Sequence, residues 1–249
     1  MIQIRDTEIG SGIPKISVPV TGADERSVLL AARKAYESPA DIIEWRADTF
    51  ERWNDHEALL RMLKTIRMAI GDKILCFTFR TSDEGGLVRV RDEEYIAVTK
   101  RAIDSRLVDM VDVECCVSEY RASELLNYAK NAHVITIGSN HSFHKLLSTG
   151  EMDFRIRYMQ RLGADIVKLV VVPESKKDIF KILNAVKELT DDLNLPLEII
   201  AKTDNGKYSR ILGELYGTAI TCGTLDAEAN PGEIEVYKLY RILKALHEM

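Results

Sequence analysis

The chain has 249 residues, 46% of them hydrophobic, which is enough to bury a sizeable core, and an α/β barrel of this length can be a single domain. The formal net charge of −5 argues against a nucleic-acid partner, since a surface that binds nucleic acid would be basic. No apolar run is long enough to span a membrane, the first residues lack a signal-peptide core and the four cysteines form no zinc-like pair, so we expect a cytoplasmic protein without a membrane segment.

Predicted strands and helices alternate along the chain after a short N-terminal hairpin over residues 1–12. Buried or alternating apolar runs predict strands over 14–20, 41–46, 73–79, 107–113, 133–137, 163–173, 196–201 and 218–222. Amphipathic patterns predict helices over 24–37, 55–70, 92–104, 119–130, 152–162, 176–189, 209–216 and 234–246.

This alternation predicts right-handed crossovers and a parallel sheet. About eight such units in 249 residues predict an α/β fold, a (β/α)₈ (TIM) barrel with the short hairpin in front of it; an open, doubly wound sheet is the alternative. No linker or low-complexity stretch divides the chain, so residues 1–249 are predicted to be one barrel domain.

Ionisable residues recur where the predicted strands end, which is the face on which barrel enzymes carry their active sites. They are Glu44, Arg46, Arg80, Asp112, Glu114, His141, Lys168 and Lys202. Helix caps and ion pairs at the rim explain one or two of them. Caps and rim ion pairs explain the whole set of strand-end residues less well, because an inward-facing charge must be solvated, paired or bound to a ligand.

Lys168 interrupts the apolar strand at 163–173. Burial in apolar surroundings is expected to lower the pKa of a lysine, and an uncharged amine can condense with a ketone or aldehyde. The alternative is a structural ion pair, because a buried ammonium is costly unless it is paired.

His141 follows the strand that precedes the lysine strand. Neighbouring strands lie about 4.8 Å apart, so His141 and Lys168 could face one substrate, and a histidine can take up and return a proton near neutral pH. Glu84, in the loop before Gly85 and Gly86, could orient the imidazole. The alternatives are a histidine that caps a helix and a solvated surface glutamate.

Three arginines, Arg46, Arg80 and Arg210, are fork-shaped donors suited to hydroxyls or a carboxylate, and Glu44 can accept from a substrate hydroxyl. The turn before Arg210 leads into a helix start, where backbone N–H groups favour an anion. These groups suit a small, polyhydroxylated oxo-acid. Rim ion pairing is the alternative for the arginines.

Several motifs extend this set through nearly the whole chain. They are Asp41-Ile-Ile-Glu44-Trp-Arg46-Ala-Asp48, Phe77-Thr-Phe-Arg80 with Glu84-Gly-Gly, Asp112-Val-Glu114, Ser139-Asn-His141-Ser-Phe143, Gly163-Ala-Asp-Ile-Val-Lys168-Leu with Val172-Pro173, Ser209-Arg210-Ile-Leu-Gly-Glu214 and Pro231-Gly232. In content and order the set resembles type I 3-dehydroquinate dehydratase, the Schiff-base class of this shikimate-pathway enzyme.

The resemblance implies a homodimeric (β/α)₈ barrel that needs no metal or organic cofactor. Lys168 would form an imine with the C3 ketone of 3-dehydroquinate, which acidifies the C2 proton. His141, oriented by Glu84, would remove that proton and return it to the departing C1 hydroxyl, giving 3-dehydroshikimate. The groups implied to hold the substrate are Glu44, Arg46 and Arg80 on the ring hydroxyls and Arg210 on the carboxylate.

The chain departs from the family at the carboxylate side of the site. Where the family has Ser-x-Pro-Gly-Gln, this chain has Ala229-Asn-Pro-Gly-Glu233, and Lys202 stands in a stretch that the family keeps uncharged. An ionised glutamate about 4 Å from a substrate carboxylate would cost roughly 4 kcal/mol at an effective dielectric of 20, or about a thousandfold in binding. We therefore predict that Lys202 pairs with Glu233, or that the substrate differs there.

Three other functions stay open at this point. A related Schiff-base lyase or aldolase would also use Lys168, and a non-catalytic binding protein could retain the barrel. A metal-dependent sugar isomerase would draw its ligands from another set: Glu44, Asp112, Glu114, His141 and His144.

Overall fold

The computed structural model describes residues 1–143, 146–226 and 232–249, apart from the side chain at position 191. The first two strands, β1 (Ile2–Ile4) and β2 (Thr7–Ile9), form an antiparallel hairpin. The other strands form one parallel sheet: β3 (Lys15–Val20), β4 (Ile42–Arg46), β5 (Ile74–Thr78), β6 (Met110–Glu114), β7 (Ile135–His141), β8 (Ile166–Val171), β9 (Leu197–Ala201) and β10 (Ile220–Cys222).

Helices follow the strands of this sheet. They are α1 (Glu25–Glu37), α2 (His56–Ile70), α3 (Asp92–Asp104), α4 (Glu119–Asn131), α5 (Thr149–Arg161), α6 (Lys176–Asp192), α7 (Lys207–Ile211), α8 (Gly213–Tyr216) and α9 (Val236–His247). Polar side chains fix where several begin: the Asp24 carboxylate, for example, accepts from the Ser27 N–H at 2.7 Å, which satisfies a free donor of the first turn of α1. Within the described ranges, no helix is long and apolar enough to cross a membrane.

The sheet curls until its end strands meet. Its hydrogen-bonded order is β10-β3-β4-β5-β6-β7-β8-β9, and the N–H of Ala219, just before β10, donates to the carbonyl of Leu197 on β9 at 2.8 Å. The predicted (β/α)₈ barrel with an N-terminal hairpin is therefore confirmed, and the open sheet is not formed.

Among the differences between predicted and observed elements, two lie next to the site. The predicted strand at 133–137 extends to His141, because its pairing with β8 continues through His141 opposite Val170. The polar residues after Ile137 hide this extension from a reading based on hydrophobic periodicity. The predicted helix at 209–216 is two short helices, α7 and α8, separated at Leu212.

The barrel interior changes from apolar to charged along its axis. Its floor is an apolar cluster of inward-facing residues from the barrel strands: Ile42, Ile74, Met110, Ile137, Ile166 and Ile220. Ile4 and Ile9 of the hairpin close this cluster from below. Side chains alternate between the two faces of a strand, so the next inward-facing residue on each strand lies one layer higher. That layer holds Glu44, Asp112, Ser139 and Lys168, all buried. The floor thus seals one end of the barrel below a buried polar layer.

Candidate active site

Lys168 lies inside the barrel among carboxylates. It is only 5% exposed, and its Nζ is 3.6 Å from Glu44 Oε2, 3.6 Å from Glu198 Oε2 and 3.8 Å from Asp112 Oδ2. Burial acts to lower the pKa of Lys168, but the negative charges of Glu198, Glu44 and Asp112 outweigh it and hold the pKa above its ordinary value. The expectation of an uncharged amine in apolar surroundings is therefore wrong: the resting group is an ammonium paired with carboxylates.

His141 is the last residue of β7 and does not lie in the following loop. Ser139 pairs in register with Lys168, and His141, two residues further on, projects from the same face of the strand one layer above. Burial, followed by the positive charges of Arg80 and Lys168, holds the pKa of His141 well below its usual 6.5. Its buried Nε2 has no hydrogen-bond partner among the described residues. The imidazole is thus neutral and has a ring nitrogen available to take up a proton.

Glu84 holds the backbone around His141. Its Oε2 accepts from the His141 N–H at 2.9 Å, and its Oε1 accepts from the Asn140 side-chain amide at 2.8 Å. The predicted contact was with the imidazole, whereas these hydrogen bonds fasten the end of β7. Burial, together with the nearby charge of Glu114, raises the pKa of Glu84 to about 7 despite the opposing Arg80.

The loop after Glu84 depends on a glycine. Gly85 has φ +83°, and a Cβ there would lie 2.4 Å from Cε2 of Phe143, so another residue would be both strained and in collision with the ring. The Phe143 ring also lies 5.9 Å from the His141 ring, between centroids. Glycine at position 85 therefore allows the loops after β5 and β7 to meet next to His141.

Arg80 is the centre of a buried ion-pair network. Its Nη2 donates to Asp112 Oδ1 at 2.7 Å, and its Nη1 donates to the Ser139 hydroxyl at 3.0 Å, to Glu114 at 3.3 Å and to Glu84 at 3.4 Å. A substrate hydroxyl, the ligand predicted for Arg80, would have to share a guanidinium that already binds these groups.

The other predicted arginines lie at the same end of the barrel. Arg46 makes a two-pronged contact with Asp48, both N–O distances being 2.8 Å, and its side chain keeps a quarter of its surface exposed. Arg210 is buried, and its Nη1 donates to the Ala201 carbonyl at 3.0 Å. The Nε of Arg210 has no hydrogen-bond partner in the part of the chain that the structure describes, so this nitrogen can still serve a ligand.

The residues predicted at the carboxylate side are only partly described. Lys202 is exposed, and its Nζ lies 4.9 Å from the centroid of the Phe143 ring, a cation–π contact. Glu233 is half-buried, and its predicted pairing with Lys202 stays a prediction. Ala229, Pro231 and His144 lie outside the described residues.

Sequence reasoning missed two charged residues of the network. Glu198, on β9, pairs in register with Lys168; it is a charged residue inside an apolar strand, which is the signal that singled out Lys168. Arg121, on α4, is 1% exposed, donates to Glu114 and lies 4.3 Å from the Tyr95 ring centroid. No local pattern marks Arg121, because an arginine on a helix is ordinarily solvated.

Two of the acidic residues considered as metal ligands accept hydrogen bonds from protein groups. Glu114 accepts from Thr81 and Arg121, and Asp112 accepts from Arg80 and Ser139. Across 1–143, 146–226 and 232–249, no group of three or more His, Cys, Asp or Glu side chains is arranged to hold a metal ion.

A buried lysine ringed by carboxylates, with a histidine one layer above on the adjacent strand, lies at the end of a (β/α)₈ barrel where enzymes of this fold carry their active sites, and lysine–carbonyl chemistry is compatible with it. The family model for type I 3-dehydroquinase matches residues 16–249. The chain belongs to the type I 3-dehydroquinase family, a family of carbon–oxygen lyases that use a Schiff base, and the resemblance seen in the motifs is confirmed.

Named relatives and solved structures cover nearly the whole chain. The 3-dehydroquinate dehydratase of Salmonella agona strain SL483 is 38% identical over 251 residues, which span 99% of this chain and 98% of that protein. The type I enzyme of Clostridium difficile, solved with covalently modified comenic acid, superposes with a TM-score of 0.97 at 33% identity, covering 99% and 98% of the two chains. The 3-dehydroquinate dehydratase of Geobacillus kaustophilus HTA426 superposes with a TM-score of 0.95 at 30% identity, covering 99% of this chain and 96% of that chain.

Proposed function

We propose that this chain converts 3-dehydroquinate to 3-dehydroshikimate and water through an imine on Lys168, with His141 as general base and acid. Family membership supports the reaction. The observation that carries the assignment of residues is the register of β7 and β8, which puts Ser139 beside Lys168 and directs His141 into the layer above. An amine and a proton acceptor on adjacent strands can serve neighbouring carbons of one ring.

The reaction begins when the Lys168 amine adds to the C3 ketone and water leaves, forming a protonated imine. This imine draws electrons from C2, so His141 can take the C2 proton although carbon acids are weak. The C1–O bond then breaks as the C1=C2 double bond forms, and the departing hydroxyl takes the proton from the imidazolium. Hydrolysis of the imine releases 3-dehydroshikimate and restores Lys168.

The low pKa of His141 keeps the ring unprotonated before the first step and favours the second, although it makes the imidazole a weaker base. The imidazole is neutral at pH 7 and so can accept a proton, and the imidazolium that forms is more acidic than an ordinary one, so it readily gives the proton to the leaving hydroxyl. Glu84 acts as a positioning residue, since its carboxylate binds the His141 backbone.

Substrate hydroxyls are assigned to Glu44, Arg46 and Arg80, and the substrate carboxylate to Arg210. The unpartnered Nε of Arg210 among the described residues and the partial exposure of Arg46 support these assignments. A further group is proposed near the carboxylate: Lys202, Glu233 and Ala229.

We further propose that the protein is a cytoplasmic homodimer and works without a cofactor, as the family resemblance implies. Light scattering coupled to size-exclusion chromatography is expected to give twice the mass of the 249-residue chain. A monomer mass at micromolar concentration would contradict the dimer and leave the reaction unaffected.

Borohydride reduction in the presence of 3-dehydroquinate tests the proposed function. Intact mass should rise by the mass of the reduced adduct, and peptide mapping should place it on Lys168. Lys168→Met should abolish both adduct and turnover, whereas Lys181→Met, at a lysine with a 65% exposed side chain, should preserve both. A folded wild-type protein that forms no adduct would remove the support for this function.

A further inference from the structure

We propose that Glu198 is the base that takes the proton from the Lys168 ammonium, so that the amine can attack the substrate ketone. This inference rests on the proposed function, because it assigns the step that must precede imine formation. It adds a catalytic residue that touches the reacting nitrogen.

A step of this kind is required by the charge state of Lys168. An ammonium has no lone pair and cannot add to a ketone. Even an ordinary lysine is less than about 0.1% uncharged at pH 7, and the carboxylates around Lys168 raise its pKa above the ordinary value. Its proton must therefore pass to a neighbouring acceptor as the substrate arrives.

Glu198 lies beside Lys168 in the sheet. The two residues pair in register on β9 and β8, and Glu198 Oε2 is 3.6 Å from Lys168 Nζ. Glu198 is 1% exposed, and its buried Oε1 has no hydrogen-bond partner among the residues that the structure describes. A glutamate so enclosed is free to accept a proton without giving up another hydrogen bond.

The two other carboxylates near Lys168 already accept hydrogen bonds from other groups. Glu44 accepts from the Thr78 hydroxyl at 2.8 Å; burial acts to raise its pKa, but Lys168, Arg46 and Arg80 hold it at about 2. Asp112 accepts from Arg80 at 2.7 Å and from Ser139 at 2.6 Å, and these donors stabilise its charge.

The surroundings of Glu198 favour its protonated form. Lys168 faces it from β8, Glu44 from β4, Asp112 from β6 and the Cys222 thiol from β10. Burial raises the pKa of Glu198, and the charges of Glu44 and Asp112 add to this effect, against the opposing charge of Lys168. A base is most effective when its pKa approaches the working pH.

The proton balance of the step is complete within the site and the substrate. Glu198 carboxylate takes one proton from the Lys168 ammonium, leaving a carboxylic acid and a free amine. The amine adds to C3 and gives up one of its own protons, which passes to the ketone oxygen, so that a neutral carbinolamine forms. Its hydroxyl then leaves as water with the proton that Glu198 returns. The products are the protonated imine, water and the Glu198 carboxylate.

The test is the rate of imine formation in a single turnover, with excess enzyme and 3-dehydroquinate mixed rapidly and quenched with borohydride at set times. Glu198→Gln keeps the shape of the side chain and removes the base, so the adduct should form on the order of 100-fold more slowly at pH 7. In this variant the rate should rise about tenfold per pH unit above pH 7, since the free amine must then come from ionisation into solvent. The wild-type rate should be flat over that range.

Glu198→Asp is the matched control, because it retains a carboxylate next to Lys168. It should form the adduct more slowly than wild type but with the same flat pH dependence, which a purely structural role of Glu198 would not predict. Thermal unfolding of both variants checks the fold, and if the Gln variant is unfolded, the pH profile of the Asp variant decides. A Gln variant with the wild-type rate and profile, or an Asp variant whose rate rises with pH, would overturn the inference. Absence of an adduct in wild type would instead overturn the proposed function.

Discussion

The Glu84 carboxylate accepts a hydrogen bond from the backbone N–H of His141 at 2.9 Å, across 57 residues of chain. This contact fixes the end of β7 from the loop after β5, and it buries a carboxylate whose pKa is raised to about 7. The position of His141 is therefore linked to the protonation state of Glu84.

The raised pKa predicts a pH-dependent contribution of Glu84 to stability. Between its ordinary value of 4.5 and about 7, the native state holds a proton on Glu84 that the unfolded state does not. The contribution of Glu84 to the free energy of unfolding should therefore be largest below pH 4.5 and fall as pH rises through 7, by up to about 3 kcal/mol. Glu84→Gln should remove this fall. Urea unfolding of both proteins from pH 4 to 8 measures it, and parallel curves would contradict it.

His141 is predicted to act after the imine has formed. His141→Asn should lower kcat on the order of 10²- to 10⁴-fold, the range for loss of a general base, while borohydride still traps an adduct on Lys168. Absorbance of the conjugated product measures kcat, and mass spectrometry measures the adduct. If the variant turns over at the wild-type rate, His141 is not the base.

The pH dependence of turnover follows from the same residue. Because burial and nearby cations lower the pKa of His141 well below 6.5, protonation of this base should reduce activity only at pH values below 6.5. A kcat profile of Glu84→Gln, in which the neighbouring carboxylate no longer titrates, isolates the effect. Half-loss of activity above pH 6.5 in that variant would contradict the prediction.

Arg80 is predicted to be needed for stability as well as for the site. Arg80→Met would leave Asp112, Glu114 and Glu84 buried beside one another without their shared cation, which should cost about 3–5 kcal/mol of unfolding free energy. Arg157→Met removes an arginine with a 38% exposed side chain and should cost no more than about 1 kcal/mol. Equal losses in urea unfolding would contradict the importance of the buried network.

Glu233 is predicted to oppose binding of a substrate carboxylate. Glu233→Gln should raise kcat/KM for 3-dehydroquinate, up to about a thousandfold if the charge acts at full strength. Lys202→Met should lower kcat/KM. If the two residues are coupled, this loss should be smaller in the Glu233→Gln background than in the wild type. A lower kcat/KM in Glu233→Gln would show that the glutamate helps to bind the substrate.

Hydrophobic periodicity predicted most of the barrel. Helix α3 occupies the predicted residues 92–104, and the strands around Glu44 and Lys168 occur where apolar runs predicted them. Periodicity succeeded because each strand buries its outer face against helices, so apolar residues recur at regular spacing within each strand. It failed at the end of β7, where Ser139 and His141 face a polar interior and interrupt the apolar run.

The sequence by itself determined the order of strands and helices, the family motifs and the burial of Lys168, because each of these depends on residues that are close together in the chain. Only the tertiary structure decided the charge state of Lys168 and the presence of Glu198 beside it. The physical reason is closure of the barrel. Register places Ser139 and Glu198 beside Lys168 on the neighbouring strands, and the inward-facing Glu44 and Asp112 approach it from strands that do not pair with β8. The charges of these carboxylates outweigh the desolvation that the sequence alone suggested.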